Sequence, residues 1–373
     1  MTRLIPIAAL TSVLEITCAA GASTAPVARQ PVPAAPRSSL HGLIAYSTKA
    51  GDIWVMRANG TGRRRITRSG RGVDFDPDFS PDGRRIVFRT SRGSYAHDDY
   101  GIGLEGILVV EVATRRERQI QPRTGGLFPA WSPNGKVIAF SGLGSTGSPL
   151  ETIQVMRPDG TGRVDVGVFG EGSTWSPDGT RIAFDSHPGD GNWAVWTMRP
   201  DGSDRRQLTH PVLRLPAGAH GDAAGAWSPD GRRLVYSSEA GGDYELFVMN
   251  ADGSAKRRLT RWRGGDDAVA WLPDGRIVFA HFRGSEALPH WYLIRADGSR
   301  LRSLPQLSGA GFPLDWLVVS ENATLRAEGA HGDERGERAG SSVRSSRRPP
   351  GLRPVTRRVA LEGYTARRLL VTG

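Results

Sequence analysis

Trp175-Ser176-Pro177-Asp178-Gly179 reads WSPDG, and the same five letters return at Trp227–Gly231. Variants stand at Phe79 (FSPDG), Trp131 (WSPNG) and Trp271 (WLPDG). A motif that performs chemistry normally occurs once. Five copies at intervals of 52, 44, 52 and 44 residues, counted from Ser80 to Leu272, mark a structural repeat whose length suits a propeller blade of four strands.

Each copy has the same grammar. A short apolar piece ends in an aromatic residue: Phe79, Trp131, Trp175, Trp227 or Trp271. Proline then presets φ, Asp or Asn bonds the backbone, and glycine takes the left-handed conformation. A second apolar strand comes next, as in RIVFRT, KVIAFSG, RIAFDS, RRLVYSS and RIVFAHF. After a loop of variable length comes a third strand, mostly ending in Asn-Gly or Asp-Gly, a hairpin signal (DIWVMRANG, TIQVMRPDG, AVWTMRPDG, ELFVMNADG). A fourth strand ends the unit, as in RRRIT, RRQLT and KRRLT. Met56, Met156, Met198 and Met249 share one column of the third strand, with Val110 and Ile294 in the other copies, which reads as packing between blades. The aromatic column carries the same structural reading.

There are five turn motifs but six third strands. The first unit, with strands at Leu43–Thr48, Asp52–Gly60 and Arg63–Thr67, lacks a first strand. FPLDWLVVS (Phe312–Ser320) is a first strand with no followers, and Trp316 stands in its aromatic column. The two fragments complete one another. The expectation is an all-β, six-bladed propeller of four-stranded blades, its ring closed by the C-terminal strand joining the N-terminal blade; closure removes exposed sheet edges.

The units between Phe79 and Leu304 resemble the propeller repeats of the TolB family, whose pattern of WSPDG, I-x-F-x-S, a DG hairpin and a closing LT is matched over about residues 42–319. The resemblance implies the fold; related repeats occur in peptidase propellers and in many exported proteins, so it assigns no function. Members of that family carry an α/β domain before the propeller. The forty residues that precede the repeats here read as signal and linker, so the likeness is to the propeller.

Residues 1–22 have a positive start at Arg3, an apolar run Leu4–Leu14 too short to span a membrane, and a small-residue cleavage site at Ala20-Gly21-Ala22. They read as a signal peptide, with lipidation at Cys18 as a second route. Residues 23–41 are a Pro/Ala-rich linker, 42–320 the propeller, and 321–373 a basic tail read as disordered. The net charge of +11 sits unevenly: residues 320–373 hold eleven Arg against six acids. A mildly basic body between basic ends does not call for a specific nucleic-acid partner. Cys18 is the one cysteine, so the mature body has no internal disulfide.

The turns repeat on one face, so function is expected on the other, where loops vary. Candidates there are Tyr95, His97, Asp98, Asp99 and Tyr100 in one long loop, His210, His220 and Asp222 around another, and His187, Asp266 and Asp267. No pair has a compact metal-ligand spacing, and no metal or cofactor is expected. The chain has no nucleophile elbow, P-loop or dinucleotide fingerprint, so no catalytic residue is assigned. The expected function is an exported, monomeric, non-enzymatic scaffold, periplasmic or otherwise envelope-associated, that binds a protein or peptide through its loop-rich face or central channel. Two alternatives stand beside it: a metal-assisted, lactonase-like hydrolase with His and Asp at the channel mouth, and cell-envelope polysaccharide binding.

Overall fold

A computed structural model describes residues 40–317, apart from 71, 93–105, 122–124, 145–150, 188–191, 212–220, 241–242, 285, 287 and 312–313. The described residues form six four-stranded antiparallel sheets. Blade 1 contains β1 (Leu43–Ser47), β2 (Ile53–Arg57) and β3 (Arg64–Arg65). Blade 2 is β4 (Asp74–Phe79), β5 (Arg85–Thr90), β6 (Gly106–Glu111) and β7 (Glu117–Gln121). Blade 3 is β8 (Leu127–Trp131), β9 (Ile138–Leu143), β10 (Glu151–Met156) and β11 (Val164–Phe169). Blade 4 is β12 (Glu171–Trp175), β13 (Ile182–Ser186), β14 (Ala194–Met198) and β15 (Arg206–Gln207). Blade 5 is β16 (Asp222–Trp227), β17 (Arg233–Ser238), β18 (Glu245–Asn250) and β19 (Arg257–Arg258). Blade 6 is β20 (Gly265–Trp271), β21 (Arg276–Phe282), β22 (His290–Arg295) and β23 (Arg302–Ser303). A short 3-10 helix, Pro305–Leu307, leads to β24 (Leu314–Leu317).

β24 pairs antiparallel with β1, Leu43 facing Leu317 and Tyr46 facing Leu314. It supplies the missing innermost strand of blade 1 and contacts β4 and β20 on either side, so the ring closes. The innermost strands of the six blades thus surround a central bore.

The core lies between blades. The third-strand column pairs with a buried residue of the second strand in all six blades: Ile44 with Met56, Ile86 with Val110, Ile138 with Met156, Ile182 with Met198, Leu234 with Met249 and Ile277 with Ile294. Every one of these twelve is at most 1% exposed. Burying one such side chain contributes roughly 1.5–3 kcal/mol. The aromatic column also joins blades. The Trp175 indole N–H donates to the Ala130 carbonyl of blade 3 at 3.1 Å, and that of Trp227 to the Thr174 carbonyl of blade 4 at 3.3 Å. Arg85 of blade 2 lies 4.8 Å above Trp131, and Arg233 of blade 5 lies 5.1 Å above Trp271.

The repeated words have local causes. In WSPDG, Ser176 Oγ donates to Asp178 Oδ1 at 2.6 Å and accepts the Arg181 N–H at 2.9 Å, while the Gly179 N–H returns to the Ser176 carbonyl. Gly179 has φ of 70°, the left-handed region that glycine enters without strain. The bonds from Ser176 Oγ and the Thr180 N–H hold the Asp178 carboxyl below its ordinary range. Ser176→Ala is expected to cost about 1 kcal/mol, read as a lower midpoint in urea unfolding, because the part-buried Arg181 N–H loses its acceptor. The closing threonine also has a task. Thr67, Thr209 and Thr260 each accept a backbone N–H from their blade's third strand, at 3.0, 2.9 and 2.9 Å. Thr67 also donates to Asp74 Oδ2 of blade 2 at 2.6 Å, which ties one blade to the next.

Candidate functional site

Charge is sorted along the blade. The innermost strands β4, β8, β12, β16, β20 and β24 carry eight Asp or Glu and no Lys or Arg. Four of the outermost strands, β3, β15, β19 and β23, are RR, RQ, RR and RS. A basic protein therefore has an acidic axis.

Part of that acidity is absorbed by the scaffold. Asp74, fully buried, accepts hydroxyl bonds from Thr67 and Thr90 and pairs with Arg92. Asp266, also fully buried, meets His281 Nδ1 at 2.6 Å, and the Trp262 ring stands edge-on to that imidazole at 4.9 Å. Asp78, Glu171, Asp267 and Asp315 remain half-buried along the bore. Asp267 Oδ1 accepts from Ser237 Oγ at 3.1 Å.

Asp78 and Asp315 occupy equivalent places, each just before the column aromatic of its strand, on adjacent blades across the closing seam. Asp315 Oδ2 accepts the Phe79 N–H at 2.8 Å, and Asp78 Oδ2 accepts the Trp131 N–H at 2.6 Å. The same position is Ala130, Thr174, Ala226 and Ala270 in the other blades. Burial and the neighbouring Asp315 carboxylate push Asp78 well above the ordinary range, and burial pushes Asp315 up to about 6. Neutral backbone donors favour the charged forms without offsetting that burial.

Five of the innermost strands, β4, β8, β12, β16 and β20, carry a bulge where they pair with the second strand. β4 shifts register between Phe75 and Asp78, and β8 between Leu127 and Ala130. Asp76 and Phe128 at these bulges both have φ of 50°. A bulky side chain in the left-handed region costs of order 1–3 kcal/mol, and such strain gathers at ligand clamps. Arg89 of β5 lies 4.9 Å over Phe75 and 5.6 Å over Phe128, and its Nε is 2.9 Å from Asp76 Oδ2. Both phenyl rings are half-buried. The innermost strands of blades 2 and 3 thus share an aromatic and cationic stack, while β12 and β20 carry Glu171 and Asp267.

The loop candidates divide. Tyr95, His97, Asp98, Asp99, Tyr100 and His220 lie outside the described residues. His210 is exposed. His187 stands edge-on to Phe169 at 4.5 Å and to Trp193 at 5.0 Å. Asp222, Asp266 and Asp267 belong to innermost strands, and Asp222 is 6% exposed. His281 is inside β21 and buried, because the strand runs to Phe282. His290 opens β22 and meets Glu286 at 2.6 Å, beside a cleft of about 520 Å³ between blades 6 and 1 that Lys49, Tyr292 and Pro305 also line. Among the described residues, no group of three or more His, Cys, Asp or Glu is placed to hold a metal. Of the bore carboxylates, Asp267 is among the sequence candidates, whereas Asp78, Glu171, Asp315 and the Phe75–Arg89–Phe128 stack are not. Their signal was present, as three Asp at alternating positions of DFDPDF.

No protein-family model matches the chain. The Tol-Pal system protein TolB of Gluconobacter oxydans is 32% identical over 218 residues, 45% of each chain. A TolB homolog of Chlorobium luteolum is 30% identical over 159 residues, 40% of this chain and 32% of that one. The chain therefore spans less than half the length of these curated relatives. Among solved structures, TolB from Acinetobacter baumannii superposes with a TM-score of 0.58 and 17% identity, over 74% of this chain and 66% of that one. At that identity the likeness concerns fold. Sequence and fold together make this chain a TolB-like six-bladed propeller.

Proposed function

We propose that this propeller is an exported scaffold of the cell envelope that binds a protein or peptide partner in its bore from the loop-rich face. The observation that carries this reading is the strained wall. Phe128 and Asp76 hold left-handed backbone conformations with no glycine to ease them, and beside them two half-buried phenyl rings, Phe75 and Phe128, of adjacent innermost strands share the Arg89 guanidinium. The equivalent bulge in β12 places Gly172 at φ of 67°, so at Asp76 and Phe128 the same backbone shape is held at a higher cost. Rigid aromatic anchors beside carboxylates suit an extended peptide that offers apolar and cationic groups. Export is supported by the signal-like residues 1–22 and by relatives named for the Tol-Pal system. A propeller fold alone fixes no activity, so the assignment rests on the bore.

The test is capture from an envelope extract on the immobilised full chain. A protein retained by the wild type should be lost with Phe75→Ala and with Phe128→Ala. It should be retained with Arg199→Ala, an exposed residue of a hairpin on the opposite face. Capture that is indifferent to both phenylalanines, or abolished equally by Arg199→Ala, would overturn the reading.

A further inference from the structure

The bore has an occupant of fitting charge in the chain itself. Its innermost strands carry eight carboxylates and no Lys or Arg. The nearby cation Arg89 belongs to the second strand of blade 2 and is already engaged with Asp76. Asp78 and Asp315 are held by backbone N–H groups, which supply hydrogen bonds but no opposing formal charge. Two carboxylates on adjacent blades without a cation raise one another's cost of ionisation, and a guanidinium between them would reverse that.

The last strand of the ring lines the bore. β24 is an innermost strand, and Leu317 lies two positions after Asp315. Like the other innermost strands it runs toward the face of the Pro-Asp-Gly turns, since Leu317 pairs with Leu43 at the start of β1. Farther along the sequence, residues 344–368 hold eight Arg and one Glu. Reach is no obstacle, because ten extended residues already span about 33 Å. Arginine suits this site better than lysine, since its planar fork can bond two carboxylates at once and stack on an aromatic wall.

We propose that the arginine-rich stretch 344–368 of this chain binds in the acidic bore, on the Asp78–Asp315 pair, and competes there with an outside partner. It is a tethered ligand: its local concentration is set by the linker, so a partner must displace it. This rests on the bore being the binding channel proposed above and adds the chemistry that the channel selects, a cationic extended segment.

The test uses the full chain with all eight arginines of 344–368 changed to serine, titrated calorimetrically with a synthetic peptide of residues 341–370. The peptide should bind one to one. Binding should weaken at least tenfold in the wild type, whose own segment competes. It should also weaken at least tenfold when Asp78→Asn and Asp315→Asn are added to the serine variant. Absence of binding to the serine variant overturns the proposal, as does binding that ignores the two Asp substitutions or is equal in the wild type. An unrelated lysine peptide of the same length that binds as tightly, or calcium chloride that occupies the bore while the peptide does not, assigns the site to another occupant and overturns it too. If the peptide fails while Phe128→Ala still abolishes partner capture, this inference falls and the binding channel stands.

Discussion

Trp316→Ala is expected to lower stability by about 3–5 kcal/mol, the range for truncating a buried tryptophan, and to turn a single unfolding transition into a broad one. Trp316 is 6% exposed and packs in the cluster shared by blades 6 and 1, with Ile44, Leu272, Leu304 and Leu314. Its indole N–H donates to the His41 carbonyl at 3.1 Å, which pins the start of the ring to its end. The substitution therefore opens a cavity at the one seam where the chain closes a blade from both of its ends. The same change at Trp175, half-buried and inside a blade of contiguous sequence, should cost less. Gly42→Ala attacks the seam from the other strand. Gly42 has φ of 115°, and an added Cβ would lie 2.3 Å from the Leu317 carbonyl oxygen. Urea unfolding monitored by tryptophan fluorescence checks all three. Equal losses at Trp175 and Trp316 would show that the closing seam has no special weight.

That seam was legible in the sequence alone, because an orphan FPLDWLVVS and a unit lacking its first strand have one solution in a closed ring. Period-two apolar strands, DG hairpins and a column of methionines are local signals, and blades are local units, so pattern and fold coincide. The bore was not legible in the same way. Charge read along stretches of chain gave a mildly basic body, whereas the structure sorts charge by strand position, which appears only when six blades are superimposed. The bulges were invisible for another reason: Asp76 and Phe128 sit at left-handed φ without the glycine that marks Gly172. The loop candidates His187, His210 and Asp222 rest on polar residues clustering near a mouth. Position in a loop does not reveal whether a side chain faces solvent, a neighbour or the bore.

In the chain whose tail arginines are serine, Asp315→Asn is expected to stabilise the fold at pH 7 by about 2 kcal/mol. Burial raises the Asp315 carboxyl from 3.8 to about 6, and Asp78 is raised as well by burial and by Asp315. A carboxyl raised on folding binds its proton more tightly in the native state. Its contribution is fully present below about pH 4 and is lost as pH rises through 6, so at pH 7 the ionised pair works against folding. The full conversion of such a shift would approach 3 kcal/mol, and the half-buried position on the bore lowers it. Asparagine keeps the feature that matters structurally, since its Oδ1 can still accept the Phe79 N–H, and it removes the negative charge that raises Asp78. Urea midpoints from pH 4 to pH 8 should fall for the parent across this range and stay nearly level for the variant. With the arginines restored, a guanidinium at the pair would keep both carboxylates charged at little cost, and the gain from Asp315→Asn should shrink or change sign. The difference between the two backgrounds is a coupling free energy between the tail and the bore. A gain of the same size in both backgrounds would show that the arginines do not reach the Asp78–Asp315 pair, whereas a parent with no loss of stability between pH 4 and pH 7 would show that the two carboxylates do not burden one another.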